Sequence, residues 1–163
     1  MHAEALNFVA RCLAGGVQGL RVLEIGSLDV NGTPRGLCDG AACYVGIDRV
    51  AGPGVDVVSD AARYNGRHGY DLVICCEVLE HAPDPAAVVA CAWQALTRGG
   101  RLIVTAAAPE RAPHGCDGQG VRAGEHYAGV SVATLRALLG GWQDVQTEHY
   151  PGRGDVYATA VRP

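Results

Sequence analysis

The chain contains no lysine: all 13 of its basic side chains are arginine, set against 17 carboxylates, for a formal charge of −4. A protein whose main partner is a polyphosphate backbone carries a basic surplus or stripe, and none is visible here, so nucleic acid is disfavoured. The all-arginine usage beside abundant Ala and Gly fits codon bias better than function. Long apolar runs are also missing. No window reaches the roughly eighteen uninterrupted apolar residues of a membrane span, and Glu4, Asn7 and Arg11 stand where a signal peptide needs its apolar centre. A cytoplasmic protein without membrane association is expected. The seven Cys are an odd number with no Cys-x-x-Cys pair, which argues against a disulfide framework or a zinc ribbon and predicts reduced, mostly buried thiols. No metal is expected either, because His114, Cys116 and His126 match no zinc spacing.

What remains is a chain of 163 residues, 48% hydrophobic and 18% charged, long enough to bury a core as one domain over 1–163. A monomer or homodimer is expected. Ala5, Leu6, Val9, Cys12 and Leu13 recur at helical spacing, giving an N-terminal helix within 1–19 that ends at Gly15 and Gly16. Arg21 to Ile25, Cys43 to Ile47, Val55 to Val58, Asp71 to Cys76 and Arg101 to Ala106 are short apolar runs with little polar alternation, the pattern of parallel strands buried on both faces. Helix starts are legible at Thr33-Pro34, Asp84-Pro85 and Ser131, and Gly99-Gly100 reads as the stop of the second, whose Trp93 and Leu96 are expected in the core. Between Asp60 and Gly69 the crossover is too short for much helix. Asp144 to Tyr150 and Asp155 to Val161 flank a PGRG turn and must be antiparallel. The fold class that follows is α/β: a doubly wound, Rossmann-like sheet of seven strands, mostly parallel, closed by a C-terminal antiparallel hairpin. Residues 20–107 form its cofactor-binding half, and 108–163 supply a loop, the last helix and the hairpin on the substrate side.

Polar residues collect where these strands end: Glu24 with Gly26, Asp48, Asp60 with Ala61, and Glu77 with His81. In a parallel sheet such ends share one edge, so these residues converge on one crevice. A carboxylate after the second strand can accept both ribose hydroxyls, one after the third can accept an adenine amino group, and glycine backbone allows close approach. A dinucleotide such as NAD would also suit Asp48. Yet Gly26-Ser27-Leu28-Asp29 lacks the second glycine of G-x-G-x-x-G and inserts an acid, which repels phosphate and tolerates a cationic, phosphate-free ligand.

Taken in order, these segments resemble the class I S-adenosylmethionine-dependent methyltransferases of the small bacterial type. VLEIGSLDVNG resembles the family's first motif, YVGIDRVAGPGVDVVSDA its acidic second and third segments, DLVICCEVLEHAPDP its fourth, and GGRLIVTA its fifth strand. The likeness covers Leu20 to Ala107 and departs from the family at Ser27-Leu28-Asp29-Val30. It implies S-adenosylmethionine as cofactor, with Glu24, Gly26 and nearby backbone at its methionine part, Asp48 at the ribose, Asp60 and Ala61 at the adenine, Cys76 and Glu77 flanking it, and Ser27 and Arg49 among the cofactor-binding residues. His81, beyond the fourth strand, is the candidate general base. His114, Glu125, His126 and Tyr127 are candidates for the substrate side, and the loop 109–124 is placed to cover the pocket. The implied reaction is methyl transfer to oxygen or nitrogen of a small-molecule or sugar-like acceptor. The alternatives are a cofactor-binding regulatory subunit without activity of its own and an NAD-linked oxidoreductase.

Overall fold

The architecture is taken from a computed structural model that describes residues 1–66 and 69–163. The elements are α1 (Ala3–Cys12), β1 (Arg21–Ile25), β2 (Cys43–Asp48), β3 (Val57–Val58), β4 (Tyr70–Cys76), α2 (Pro85–Ala95), β5 (Leu96–Ala107), α3 (Val132–Leu138), β6 (Gln143–Tyr150) and β7 (Asp155–Val161). They build one seven-stranded sheet in the order β3-β2-β1-β4-β5-β7-β6. The first five strands pair in parallel, while β7 runs antiparallel to both β5 and β6, as the PGRG turn requires. The order reverses between β1 and β4, so their carboxyl ends open a crevice at the switch point. Among the described residues no helix is long and apolar enough to cross a membrane.

Alternation along the central strands sorts two cores. Leu23, Ile25, Val73, Cys75, Leu102 and Val104 face α2 and α3, where Val88, Val89, Ala92 and Leu135 meet them. Val22, Leu72, Ile74, Cys76 and Ile103 face the other way onto Ala5, Phe8, Val9 and Leu13, so α1 covers the opposite face. Trp93 on α2 is half-buried and meets Trp142, just after α3, edge to face at 5.0 Å. Leu96 is fully buried.

Caps set the helix starts: Asp84 accepts from the Ala87 amide with Pro85 in the first turn, and Ser131 accepts from the Thr134 amide. Three local expectations are corrected. Thr33 does cap a turn, but it is a 3₁₀ turn, Pro34–Cys38, and not an α-helix. Gly99-Gly100 does not stop α2; the helix ends at Ala95, Leu96 is already extended and pairs with Tyr70, and the glycines fall in a bulge of β5. β3 is only two residues long, Val57–Val58, with both valines exposed, although the Asp56 amide also bonds the Gly46 carbonyl of β2 at 2.9 Å. The crossover after Asp60 is a 3₁₀ turn, Ala61–Arg63, and its residues 67 and 68 lie outside the described residues.

Candidate active site

A cavity of about 620 Å³ opens at the carboxyl ends of β1, β2 and β4, within the usual size of a small-ligand site. Its floor is the turn after β1. Gly26 has φ +80°, and a Cβ there would lie 2.2 Å from Val78 Cγ2, so only glycine lets the chain turn this close to the end of β4. The Gly26 and Ser27 amides both donate to the Ile47 carbonyl, at 2.9 and 3.0 Å, which folds the turn toward β2. Beyond it the chain does not enter an α-helix. Asp29 spends its carboxylate on the Gly32 amide, and only the 3₁₀ turn follows. The helix N-terminus that a pyrophosphate would use is therefore missing from this loop.

The side wall comes from β2 and β3. Asp48 accepts from the Leu28 amide at 3.2 Å and from the Val50 amide at 3.0 Å, which fixes its carboxylate on the cavity edge beside Arg49. Asp60 caps the turn after β3 through the Ala62 amide at 2.8 Å and lines the cavity with Ala61. Cys76, Glu77 and His81 line it from the end of β4, and His114 and Cys116 from the loop 109–124. The structure thus brings Gly26, Asp48, Arg49, Asp60, Ala61, Cys76, Glu77, His81 and His114 onto one cavity.

The other candidates lie off its wall. Ser27 is buried under the turn, and Glu125 accepts from the Arg122 amide. His126 is exposed. Tyr127 packs its ring on His114 and His81, with centroids 4.9 and 5.6 Å apart. Glu24 is 3% exposed and receives the Tyr44 hydroxyl at 2.8 Å and the Thr33 hydroxyl at 3.4 Å, so its carboxylate braces the loop behind the turn. Burial pushes its carboxyl up to about 7 from the usual 4.5. The folded chain keeps a proton that the unfolded chain releases between those values, so stability falls as pH rises through that window. Glu24→Gln is expected to flatten this fall by about 3 kcal/mol between pH 4.5 and pH 8, read from urea midpoints along the pH range. An unchanged slope would refute the burial argument.

Two features went unread in the sequence. The first is a charge network on the side of β7. Arg111 donates to Glu77 at 2.6 Å and to Asp155 at 3.1 Å, Thr105 donates to Glu77, Tyr157 donates to Asp155, and His2 Nε2 lies 3.4 Å from Asp155. Glu77, at φ +55°, is held in this network by Arg111 as it borders the cavity. The second is Glu80, fully buried, which accepts from the Ala107 amide at 3.1 Å and is pushed up to about 8 by burial and by Glu77. His81 is 9% exposed; burial and then His114 hold its pKa below the ordinary value, so its imidazole is neutral at pH 7.

Residues 43–104 match the family model described as methyltransferase domain. The match covers part of the chain and, with the sheet order, agrees with the likeness of the motifs along β1 to β5 to the class I S-adenosylmethionine-dependent methyltransferases. Over 121 residues it is 33% identical to the ubiquinone biosynthesis O-methyltransferase of Escherichia coli O127:H6, covering 60% of this chain and 47% of that protein. The chain spans about half the length of the curated relatives it matches. Its fold is shared with 1,6-didemethyltoxoflavin-N1-methyltransferase of Burkholderia thailandensis, solved with S-adenosylhomocysteine, at TM-score 0.70 and 17% identity over 98% of this chain and 77% of that one. An S-adenosylmethionine dependent methyltransferase from Mesorhizobium loti superposes at TM-score 0.69 and 20% identity, covering 97% of this chain and 98% of its own.

Proposed function

We propose that this chain binds S-adenosylmethionine in the cavity at the ends of β1, β2 and β4 and transfers its methyl group to an oxygen or nitrogen of a small-molecule or sugar-like acceptor. The observation that carries the reading is the turn after β1: Gly26 admits a ligand against the backbone, while no α-helix follows to hold a pyrophosphate. Asp48 takes the ribose hydroxyls, its plane already set by the Leu28 and Val50 amides. Asp60 and Ala61 take the adenine, and Cys76 and Val78 form the wall beside the methionine part. Glu24 supports the binding turn from behind through Thr33 and Tyr44. The acceptor enters from the side of His81, His114 and Arg111, where His2, Gly115 and Cys116 also line the cavity, whose volume of about 620 Å³ suits a small acceptor beside the cofactor.

Bound there, S-adenosylmethionine would supply an electrophilic methyl carbon with a neutral thioether as its leaving group. What remains for the protein is alignment and exclusion of water, and the apolar residues Ile25, Leu28, Val78 and Val88 around the cavity serve the second. His81 stands where the acceptor loses its proton.

Titration calorimetry with S-adenosylhomocysteine and with NAD tests the reading. S-adenosylhomocysteine is expected to bind and NAD not to bind, and Asp48→Ala is expected to weaken the first by ten- to a hundredfold, about 1.5 to 3 kcal/mol. Binding of NAD alone would overturn the assignment, and an unchanged affinity in Asp48→Ala would remove that residue from the ribose.

A further inference from the structure

The fourth motif segment carries more than the edge of a cofactor pocket. One carboxylate oxygen of Glu80 and one ring nitrogen each of His81 and His114 lie within 4.8 Å of one another. Two of these residues carry buried polar atoms that find no partner: Glu80 Oε2, on a side chain 0% exposed, and His81 Nδ1, on one 9% exposed. A buried orphan of this kind needs a partner, and two next to each other, His81 on the cavity wall and Glu80 buried behind it, point to a shared one. The third residue has one ring nitrogen to spare. His114 Nδ1 lies 3.1 Å from the Ala112 carbonyl; a carbonyl can only accept, so the proton sits on Nδ1 and the lone pair of Nε2 is left free. Metal-binding imidazoles are held in this way by a backbone carbonyl behind them. Glu80 is likewise steadied from behind, through its other oxygen on the Ala107 amide.

We propose that Glu80, His81 and His114 bind one divalent first-row transition-metal ion at the acceptor end of the cavity. Two imidazoles and one carboxylate suit zinc, iron(II), cobalt(II) or manganese(II) better than magnesium, which prefers an all-oxygen shell. An ion with bonds of about 2.1 Å spaces its ligands roughly 3 to 4 Å apart, so a small rotation of the His114 ring, on its glycine-rich loop, closes the site. Three protein ligands leave a coordination position for water or for an acceptor oxygen. In the methyltransferase reading, on which this last step rests, the ion lowers the proton affinity of a bound hydroxyl and selects an oxygen acceptor over an amine. His81 then serves as a ligand, and the proton lost by the bound hydroxyl passes to water at the cavity opening.

The test uses the full chain, stripped with a chelator and titrated with Co²⁺, Zn²⁺ and Mg²⁺ in the absence of cofactor and acceptor, so its outcome does not depend on the methyltransferase reading. Co²⁺ is expected to bind one equivalent with visible d–d absorption, Zn²⁺ to displace it, and Mg²⁺ to compete at least a hundredfold more weakly. His114→Ala, on an exposed loop, and Glu80→Gln are each expected to weaken Co²⁺ binding tenfold or more. His114→Ala is expected to melt like the metal-free wild type, and zinc, which raises the melting temperature of the wild type, is expected to leave this variant unmoved. Cys116→Ser is expected to bind like wild type. The proposal is overturned if the wild type takes up no ion at micromolar concentration, if His114→Ala binds as tightly as wild type, or if Cys116→Ser abolishes binding.

Discussion

Gly46→Ala is expected to lose about 2 to 3 kcal/mol of stability, and the affinity for S-adenosylhomocysteine with it. Gly46 lies in the middle of β2, paired with Glu24, and its backbone is unstrained, so the reason is space alone. A Cβ there would come within 2.5 Å of the Gly54 carbonyl, 2.6 Å of Ser27 Oγ and 2.7 Å of Ser27 Cβ. Neither neighbour can yield cheaply. The Gly54 carbonyl is held by the Arg35 guanidinium at 2.9 Å, and the Asp29 amide ties the turn after β1 to Pro53 at 2.9 Å. One methyl group must therefore push the loop 52–55 and the binding turn apart, and Asp48, which holds Leu28, moves with them. Gly36→Ala, with open space around its Cβ, is the matched control and should cost little. Urea unfolding and calorimetry on both variants check this, and a Gly46→Ala midpoint equal to that of wild type would show that the joint is slack.

Arg111→Ala is expected to cost about 3 kcal/mol or more at neutral pH. The side chain bridges Glu77 and Asp155, which are 13% and 1% exposed, and its removal leaves two carboxylates facing each other with His2 as the nearby base. Tyr157 and Thr105 still donate one hydrogen bond to each, but neither carries charge. The loss is expected to shrink in the double variant Arg111→Ala/Glu77→Gln, since one of the stranded charges is then gone. Additive losses from the two substitutions, measured by chemical denaturation, would mean that the pair is not coupled.

The parts of the fold that follow from local pattern were legible in the sequence. Five parallel runs, the hairpin and two of the three caps are set by strand hydrophobicity, by PGRG and by Asp84 and Ser131, all readable within a few residues. Thr33 misled because a proline start says nothing about how far a helix extends; with Gly36 in the next turn the segment closes as 3₁₀. Gly99-Gly100 misled because a glycine pair suits a strand bulge as well as a helix stop. At the site, the residues whose place is fixed by a strand end, from Gly26 to Glu77, converge as topology requires. Arg111, Asp155 and Glu80 were missed for a different reason. Their partners lie 27 to 44 residues away in sequence, and no spacing rule encodes such a distance. Glu125, His126 and Tyr127 are the converse case: loop composition marked them, and loop geometry leaves them off the wall.

The edge-to-face pair of Trp93 and Trp142 gives the molecule an optical reporter of its own. These are the chain's two tryptophans, and they sit between α2 and the end of α3, on the helical layer and not on the cavity wall. Ultraviolet emission therefore follows the docking of that layer onto the sheet, a folding signal that a ligand in the cavity does not touch directly. Occupancy of the cavity has to be followed by heat, or by the colour of a bound ion.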